Sequence, residues 1–232
     1  MRDLTSKCSI CNRTPDDRRP HIPISGKVVC EKCGMNFDLS DIPTRYINMK
    51  IENYIISEQN KEAIDRAKEW LTNGTNLYIT GLCGTGKTHL ACALAQEMLW
   101  QGERIKFISS LELVSDFRNS FKDEIGIDEI VGNCANKNII LDDLGVEKTS
   151  DFVVECFDLL IDKRYRNGRG QMIVTSNLNL QGIAEKMCDR IASRLCEMCD
   201  IINLTGEDFR LKKKGLKAIN KGNASKQNVK EN

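Results

Sequence analysis

Four short apolar runs, rich in β-branched residues, mark the middle of the chain: NLYITG (76–81), RIKFISS (104–110), NIILDDLG (138–145) and QMIVTSN (171–177). Each is too short for a stable helix and is bounded by turn-forming or charged residues, which predicts buried strands. Between and before them lie stretches with helical periodicity, including NKEAIDRAKEWL, HLACALAQEMLW and DFVVECFDLLIDKRYRNG. In the last of these, Phe152, Val153, Cys156, Phe157, Leu160 and Ile161 recur at the spacing of one helix face. Strands that alternate with amphipathic helices predict an α/β fold, with a mostly parallel sheet sandwiched between helices.

Composition narrows the setting. The chain has 232 residues, 41% of them hydrophobic and 29% charged, enough for one medium α/β domain plus a small appendage. The formal net charge is +1, so no field of the whole molecule draws it to nucleic acid or membrane. Residues 211–232 are a local exception, with seven lysines against one glutamate and few apolar positions. That segment reads as a basic, disordered tail. No apolar run approaches the length of a membrane span, and the start of the chain lacks a signal-peptide core, which points to the cytoplasm. No repeat with a solenoid period is evident.

The 11 cysteines change the picture at the N-terminus. CSIC (Cys8, Cys11) and CEKC (Cys30, Cys33) are two C-x-x-C pairs separated by 18 residues, the spacing of a zinc ribbon or knuckle. Between them, HIPISGKVVC reads as two strands turning at Ser25-Gly26. So short a segment cannot bury enough surface alone, and a metal supplies its folding energy. Four thiolates leave no open coordination position, so the expected zinc is structural and the module is a docking surface. Arg13, Arg18 and Arg19 are offset there by Asp16 and Asp17. Cys188, Cys196 and Cys199 have no matching second pair, and they read as structural thiols where a helix runs into a strand.

The sharpest chemistry follows the first strand. GLCGTGKTHL (81–90) is a glycine loop opening a helix, in the strand–loop–helix context that makes phosphate binding credible. Gly81, Gly84 and Gly86 let backbone N–H groups wrap phosphates at a helix N-terminus. Lys87 supplies a cation, and the Thr88 hydroxyl a magnesium position. Cys83, Thr85 and His89 complete the nucleotide-contacting set, with Cys83 and His89 as spacers and His89 packed in the helix. Asp142 and Asp143 end an apolar strand. The first is placed to hold magnesium, and the second to polarise an attacking water. Asn177 ends the next strand, where its amide can orient that water. Phe107 alternates as a core residue, so Lys106-Phe107 is not taken as a stacking pair for nucleic acid.

Together these motifs resemble the AAA+ ATPases, in particular the DnaC/DnaI/IstB branch of helicase loaders and transposition helpers. The resemblance covers residues 41–210. It includes DIPTRYINMKIENY (41–54) as a lead-in, LDDLG with its second aspartate, and VTSNLNL as a sensor-1 segment. DRIASRL (189–195) is similar to the region that carries a trans-acting arginine, with Arg194 the first candidate and Arg190 the second. GEDFR (206–210) resembles the terminal sensor-2 motif, which places Arg210 near the γ-phosphate. The resemblance implies a P-loop core with a reduced or absent lid, preceded by the small zinc ribbon-like domain. The organisation is then 1–36 zinc module, 37–72 linker and lead-in helix, 73–210 ATPase core and 211–232 tail. The implied cofactors are ATP, Mg2+ and Zn2+. The implied activity is an ATPase, weak alone and stimulated by head-to-tail homo-oligomerisation, that loads a DnaB-type replicative helicase onto single-stranded DNA. The alternative is an IstB-like transposition helper that binds double-stranded DNA and recruits a transposase.

Overall fold

The computed structural model describes residues 7–8, 21–24, 27–30, 42–73, 75–101, 103–120 and 126–213. Two short strands, β1 (His21–Ile24) and β2 (Lys27–Cys30), pair antiparallel with His21 opposite Cys30. The turn expected at Ser25-Gly26 lies outside the described residues. Of the four cysteines assigned to zinc, Cys8 is buried. Cys11, Cys33 and the side chain of Cys30 lie outside the described residues, as does the tail beyond residue 213.

The remaining elements alternate as the apolar pattern requires. They run α1 (Lys61–Asn73), β3 (Asn76–Gly81), α2 (Lys87–Trp100), β4 (Ile105–Ser109), α3 (Ser110–Asn119) and α4 (Ile127–Ala135). There follow β5 (Asn138–Leu144), α5 (Asp151–Asn167), β6 (Met172–Ser176), α6 (Leu180–Lys186), α7 (Asp189–Met198), β7 (Cys199–Leu204) and α8 (Phe209–Lys213). Strands β3 to β7 form one parallel sheet in the order β4-β5-β6-β3-β7. Parallel strands are covered on both faces, and for this reason they read as continuous apolar runs. Alternate residues divide between two cores. Tyr78, Ile139, Leu141 and Val174 face α3 to α7, whereas Leu77, Ile79, Ile140 and Ile173 face α1, α2 and the lead-in.

Local signals fix the helix ends. The Ser109 hydroxyl accepts from the Glu112 amide and the Glu112 carboxylate accepts from the Ser109 amide, a capping box that starts α3 where β4 ends. Ser150 and Asn179 cap α5 and α6. Helix α2 is buried from Leu90 through Ala95 without a polar face, as suits a helix between the sheet and the lead-in. On α5, buried Arg164 donates to the carbonyls of Cys134, Lys137 and Gly170, tying the end of α4 to the starts of β5 and β6. Burial lowers its pKa to about 10, so it remains a cation, its two terminal nitrogens on carbonyls and its buried Nε without a partner among the described residues. Among the described residues, no helix is long and apolar enough to cross a membrane.

Candidate nucleotide site

The glycine loop joins β3 to α2 at the carboxyl end of the sheet, where parallel α/β folds hold their ligands. Gly84 (φ 78°) and Gly86 (φ 95°) are left-handed, a conformation L side chains rarely adopt. Both are also packed from outside. A Cβ on Gly84 would lie 2.0 Å from the Asp208 carboxylate, and one on Gly86 would lie 2.7 Å from the Tyr54 hydroxyl. Tyr54 donates to the Thr85 carbonyl at 3.2 Å, and the Phe209 amide donates to the Gly84 carbonyl at 3.1 Å. The lead-in and the C-terminal segment therefore clasp the loop from two sides. An open cleft lined by Gly81, Leu82, Asn177, Leu178, Thr205 and Gly206 lies beside it.

Lys87 is the first residue of α2 and is 6% exposed. Its ammonium donates to the carbonyls of Gly81 (2.9 Å) and Leu82 (2.8 Å) and to Asn177 Oδ1 (2.7 Å). Burial pulls its pKa down, against the neighbouring charges of Cys83, Asp143 and Asp142, and the Arg210 cation lowers it further. Lys87, both acids and Arg210 thus share one electrostatic neighbourhood. With Oδ1 taken by Lys87, the Asn177 NH2 has no hydrogen-bond partner among the described residues.

Asp142 is buried at the end of β5, where its Oδ1 accepts from Thr88 Oγ1 at 2.9 Å and Thr175 Oγ1 at 2.6 Å. Burial raises its pKa; the two hydroxyl bonds oppose the rise, and the Asp143 charge adds to it. A hydroxyl beside a desolvated carboxylate is a hard oxygen pair suited to magnesium. Asp143 follows in a left-handed conformation, φ 58°. Its backbone is held on both sides, but its carboxylate has no hydrogen bond among the described residues. The next turn is fixed by buried Glu147, whose carboxylate accepts from the Gly145 amide, and by Lys186, which donates to the Gly145 carbonyl.

The other predicted residues fall in distinct places. His89 is half-buried, edge-on to Tyr54, with Nε2 on the Lys50 carbonyl at 3.1 Å. Burial lowers its pKa, so a neutral ring donates through Nε2 to that carbonyl. His89 anchors the lead-in, whereas Cys83 is exposed on the loop. Arg210 is exposed on α8, whose first turn is capped by Asp208 Oδ1 accepting from the Arg210 and Leu211 amides. Arg190 and Arg194 lie one turn apart on α7, and both pair with Asp158 and Asp162 of α5. They differ in accessibility: the Arg194 side chain is 15% exposed and that of Arg190 is 55% exposed. Among the C-terminal thiols, Cys199 is buried and pushed up to about 12, Cys196 is exposed and Cys188 lies between.

Sequence reasoning missed Tyr54, Ser110, Thr175, Glu147 and Asp208. A signal existed for Asp208, because an acceptor side chain just before a short helical run is an N-cap signature. The hydroxyls of Ser110 and Thr175 sit inside apolar runs, with nothing local to distinguish them from neutral core positions.

The model of the IstB-like ATP binding protein family matches residues 43–217. The chain belongs to that family. Its ATP-binding domain therefore accounts for the glycine loop and the acidic strand end as parts of one AAA+ ATPase core. The replicative helicase loader DnaC of Escherichia coli K12 is 23% identical over 171 residues, 71% of this chain and 69% of that protein. The crystal structure of the DnaC helicase loader superposes with a TM-score of 0.62 at 24% identity, over 70% of this chain and 100% of that one. The DnaI crystal structure gives 0.62 at 21% identity, over 72% of this chain and 96% of that one. These likenesses show that the family member has the AAA+ fold of DnaC.

Proposed function

We propose that the chain is an ATP-dependent loader that delivers a DnaB-type hexameric helicase to single-stranded DNA. The observation that carries this reading is the similarity to the E. coli replicative helicase loader over 171 residues, 71% of this chain. In the proposed site, the loop amides and Lys87 hold ATP, and Thr88 with Asp142 hold Mg2+. Hydrolysis of bound ATP supplies the free energy that switches assembly. Asp143 accepts a proton from water at its unclaimed carboxylate oxygens, and the free NH2 of Asn177 orients that water. Arg210 adds positive charge beside Lys87. The loader assembles head to tail, and Arg190 is the better exposed residue for reaching a neighbour's site, with Arg194 bracing it. Cys8, Cys11, Cys30 and Cys33 hold a structural zinc in residues 1–36, the proposed grip for the helicase. The compartment is the cytoplasm.

The family match itself favours a second reading, a transposition helper that assembles on duplex DNA. The two separate in one experiment. The full chain, ATP and Mg2+ are mixed with the replicative helicase of the same cell and sized by chromatography with light scattering. A stable co-complex, lost when zinc is chelated, is the expected result. No complex with the helicase, together with ATP-dependent assembly on duplex DNA, overturns the loader in favour of the helper. Elemental analysis should find one zinc per chain, and a metal-free chain would remove the zinc module from the proposal.

A further inference from the structure

Adjacent residues on a regular strand point to opposite faces of the sheet. Asp142 and Asp143 are adjacent on β5, at the point where its pairing with β6 changes register. Leu141 pairs with Val174 and Leu144 with Ser176, so three steps along β5 match two steps along β6. The extra residue makes a bulge, a device that re-aims a side chain at the end of a ladder. Within it, Asp143 takes the left-handed backbone, at φ 58°.

Among the described residues, Asp143 is the sole non-glycine with positive φ, so its surroundings must hold it there. Two buried hydroxyls do so. The Asp143 amide donates to Thr175 Oγ1 at 2.9 Å, and the Asp143 carbonyl accepts from Ser110 Oγ at 2.8 Å. Both residues have 0% exposure, and they come from different elements, β6 and the first turn of α3. Thr175 Oγ1 spends its own proton on Asp142 Oδ1 at 2.6 Å. One hydroxyl thus orients the proposed magnesium ligand and holds the peptide of the proposed base. A valine at position 175 would fill the same space and do neither.

We propose that Thr175 and Ser110 are positioning residues that clamp the Asp143 backbone in the bulge and thereby aim its carboxylate into the nucleotide site. This rests on the reading of Asp143 as the residue that polarises the attacking water. Ser110 is the cleaner probe, because its hydroxyl bonds Asp143, whereas Thr175 also touches Asp142.

The test uses the full chain with Thr175→Val, Thr175→Ser, Ser110→Ala and Asp143→Asn, singly and combined. Asparagine tolerates the left-handed region, so Asp143→Asn keeps the bulge and removes the carboxylate. Thr175→Val and Ser110→Ala should each lower ATP turnover about tenfold or more, the range for losing a buried hydrogen bond in a reacting site. Affinity for a fluorescent ATP analogue should stay unchanged in Ser110→Ala, because the loop, Lys87 and Asp142 are untouched, whereas Thr175→Val also frees Asp142 and should weaken Mg2+-dependent binding. Amide hydrogen exchange over residues 139–146 should accelerate in Thr175→Val and be restored, with turnover, by Thr175→Ser. In the Asp143→Asn background Ser110→Ala should cost no further turnover, since it acts through the missing carboxylate.

Losses that multiply when Ser110→Ala is combined with Asp143→Asn would overturn the inference. So would an unchanged exchange rate at Asp143, or a fall in affinity that parallels turnover in Ser110→Ala, which would mark a merely structural role. If Asp143→Asn alone leaves turnover intact, the role proposed for Asp143 fails first, and that result is separately visible.

Discussion

Asp142 shows what a single residue gives up to be useful. Its burial opposes ionisation, and its folded pKa lies above the ordinary carboxylate value. A carboxyl with a raised folded pKa contributes stability below the unfolded value and loses it as pH rises through the folded one. Ionising this buried carboxyl therefore costs the nucleotide-free protein stability. Asp142→Asn keeps an acceptor for the Thr88 and Thr175 hydroxyls and removes the charge. It should raise the melting temperature of the nucleotide-free chain at pH 7 by a few degrees, about 1 kcal/mol, while weakening Mg2+-dependent nucleotide binding. The gain should shrink as pH falls through the raised pKa, where the wild-type carboxyl protonates by itself. Calorimetry across pH checks this, and a lower melting temperature at pH 7 would refute it. The sequence announced Asp142 through its place at the end of an apolar strand. It gave no sign of the bulge that turns Asp143 back, because hydrophobic periodicity carries no record of one inserted residue.

Between elements, the pairing of α5 with α7 joins two acids one turn apart to two arginines one turn apart. Each set was legible as a repeat of four, but their meeting was not, since 28 residues separate even the nearest pair, Asp162 and Arg190. Arg194 also stacks on Tyr165, whose hydroxyl bonds Glu197. It therefore braces the helix pair, whereas Arg190 rides above it. Truncating Arg194 to alanine should cost about 2 kcal/mol, because it leaves two poorly exposed carboxylates short of a partner. Arg190→Ala should cost about 0.5 kcal/mol, as exposed pairs do. Urea denaturation of both variants decides the matter, and equal losses would remove the distinction between brace and presented arginine. The strands were the most legible elements: four apolar runs became β3 to β6 within a residue or two. Their order in the sheet was not legible from periodicity, because side-chain alternation fixes faces and leaves neighbours open.

At the scale of the whole molecule, both ends of the ATPase core converge on one loop. Tyr54 and His89 pin the lead-in beneath it, and Asp208 and Phe209 pin the C-terminal segment over it. Nucleotide bound there would touch the connections to whatever lies before and after the core, the arrangement an assembly switch needs. The α5–α7 pair carries the arginines into a salt-bridge network of their own, and the four ion pairs found at those two residues all go to Asp158 and Asp162. The head-to-tail assembly proposed above asks one of these arginines to serve the nucleotide of a neighbouring subunit. That makes a mixing experiment decisive. Lys87→Ala should lose nucleotide binding yet keep its arginines, and Arg190→Ala should bind nucleotide yet fail to stimulate hydrolysis in an assembly. Each alone should be close to inactive. Mixed in equal amounts they should regain part of the wild-type turnover, because some interfaces then join an intact P-loop to an intact Arg190. The recovered rate should rise with total protein concentration, as an interface formed between chains requires. Full turnover by Arg190→Ala alone would show that the residue only decorates α7, and mixtures no better than their parts would refute the head-to-tail site.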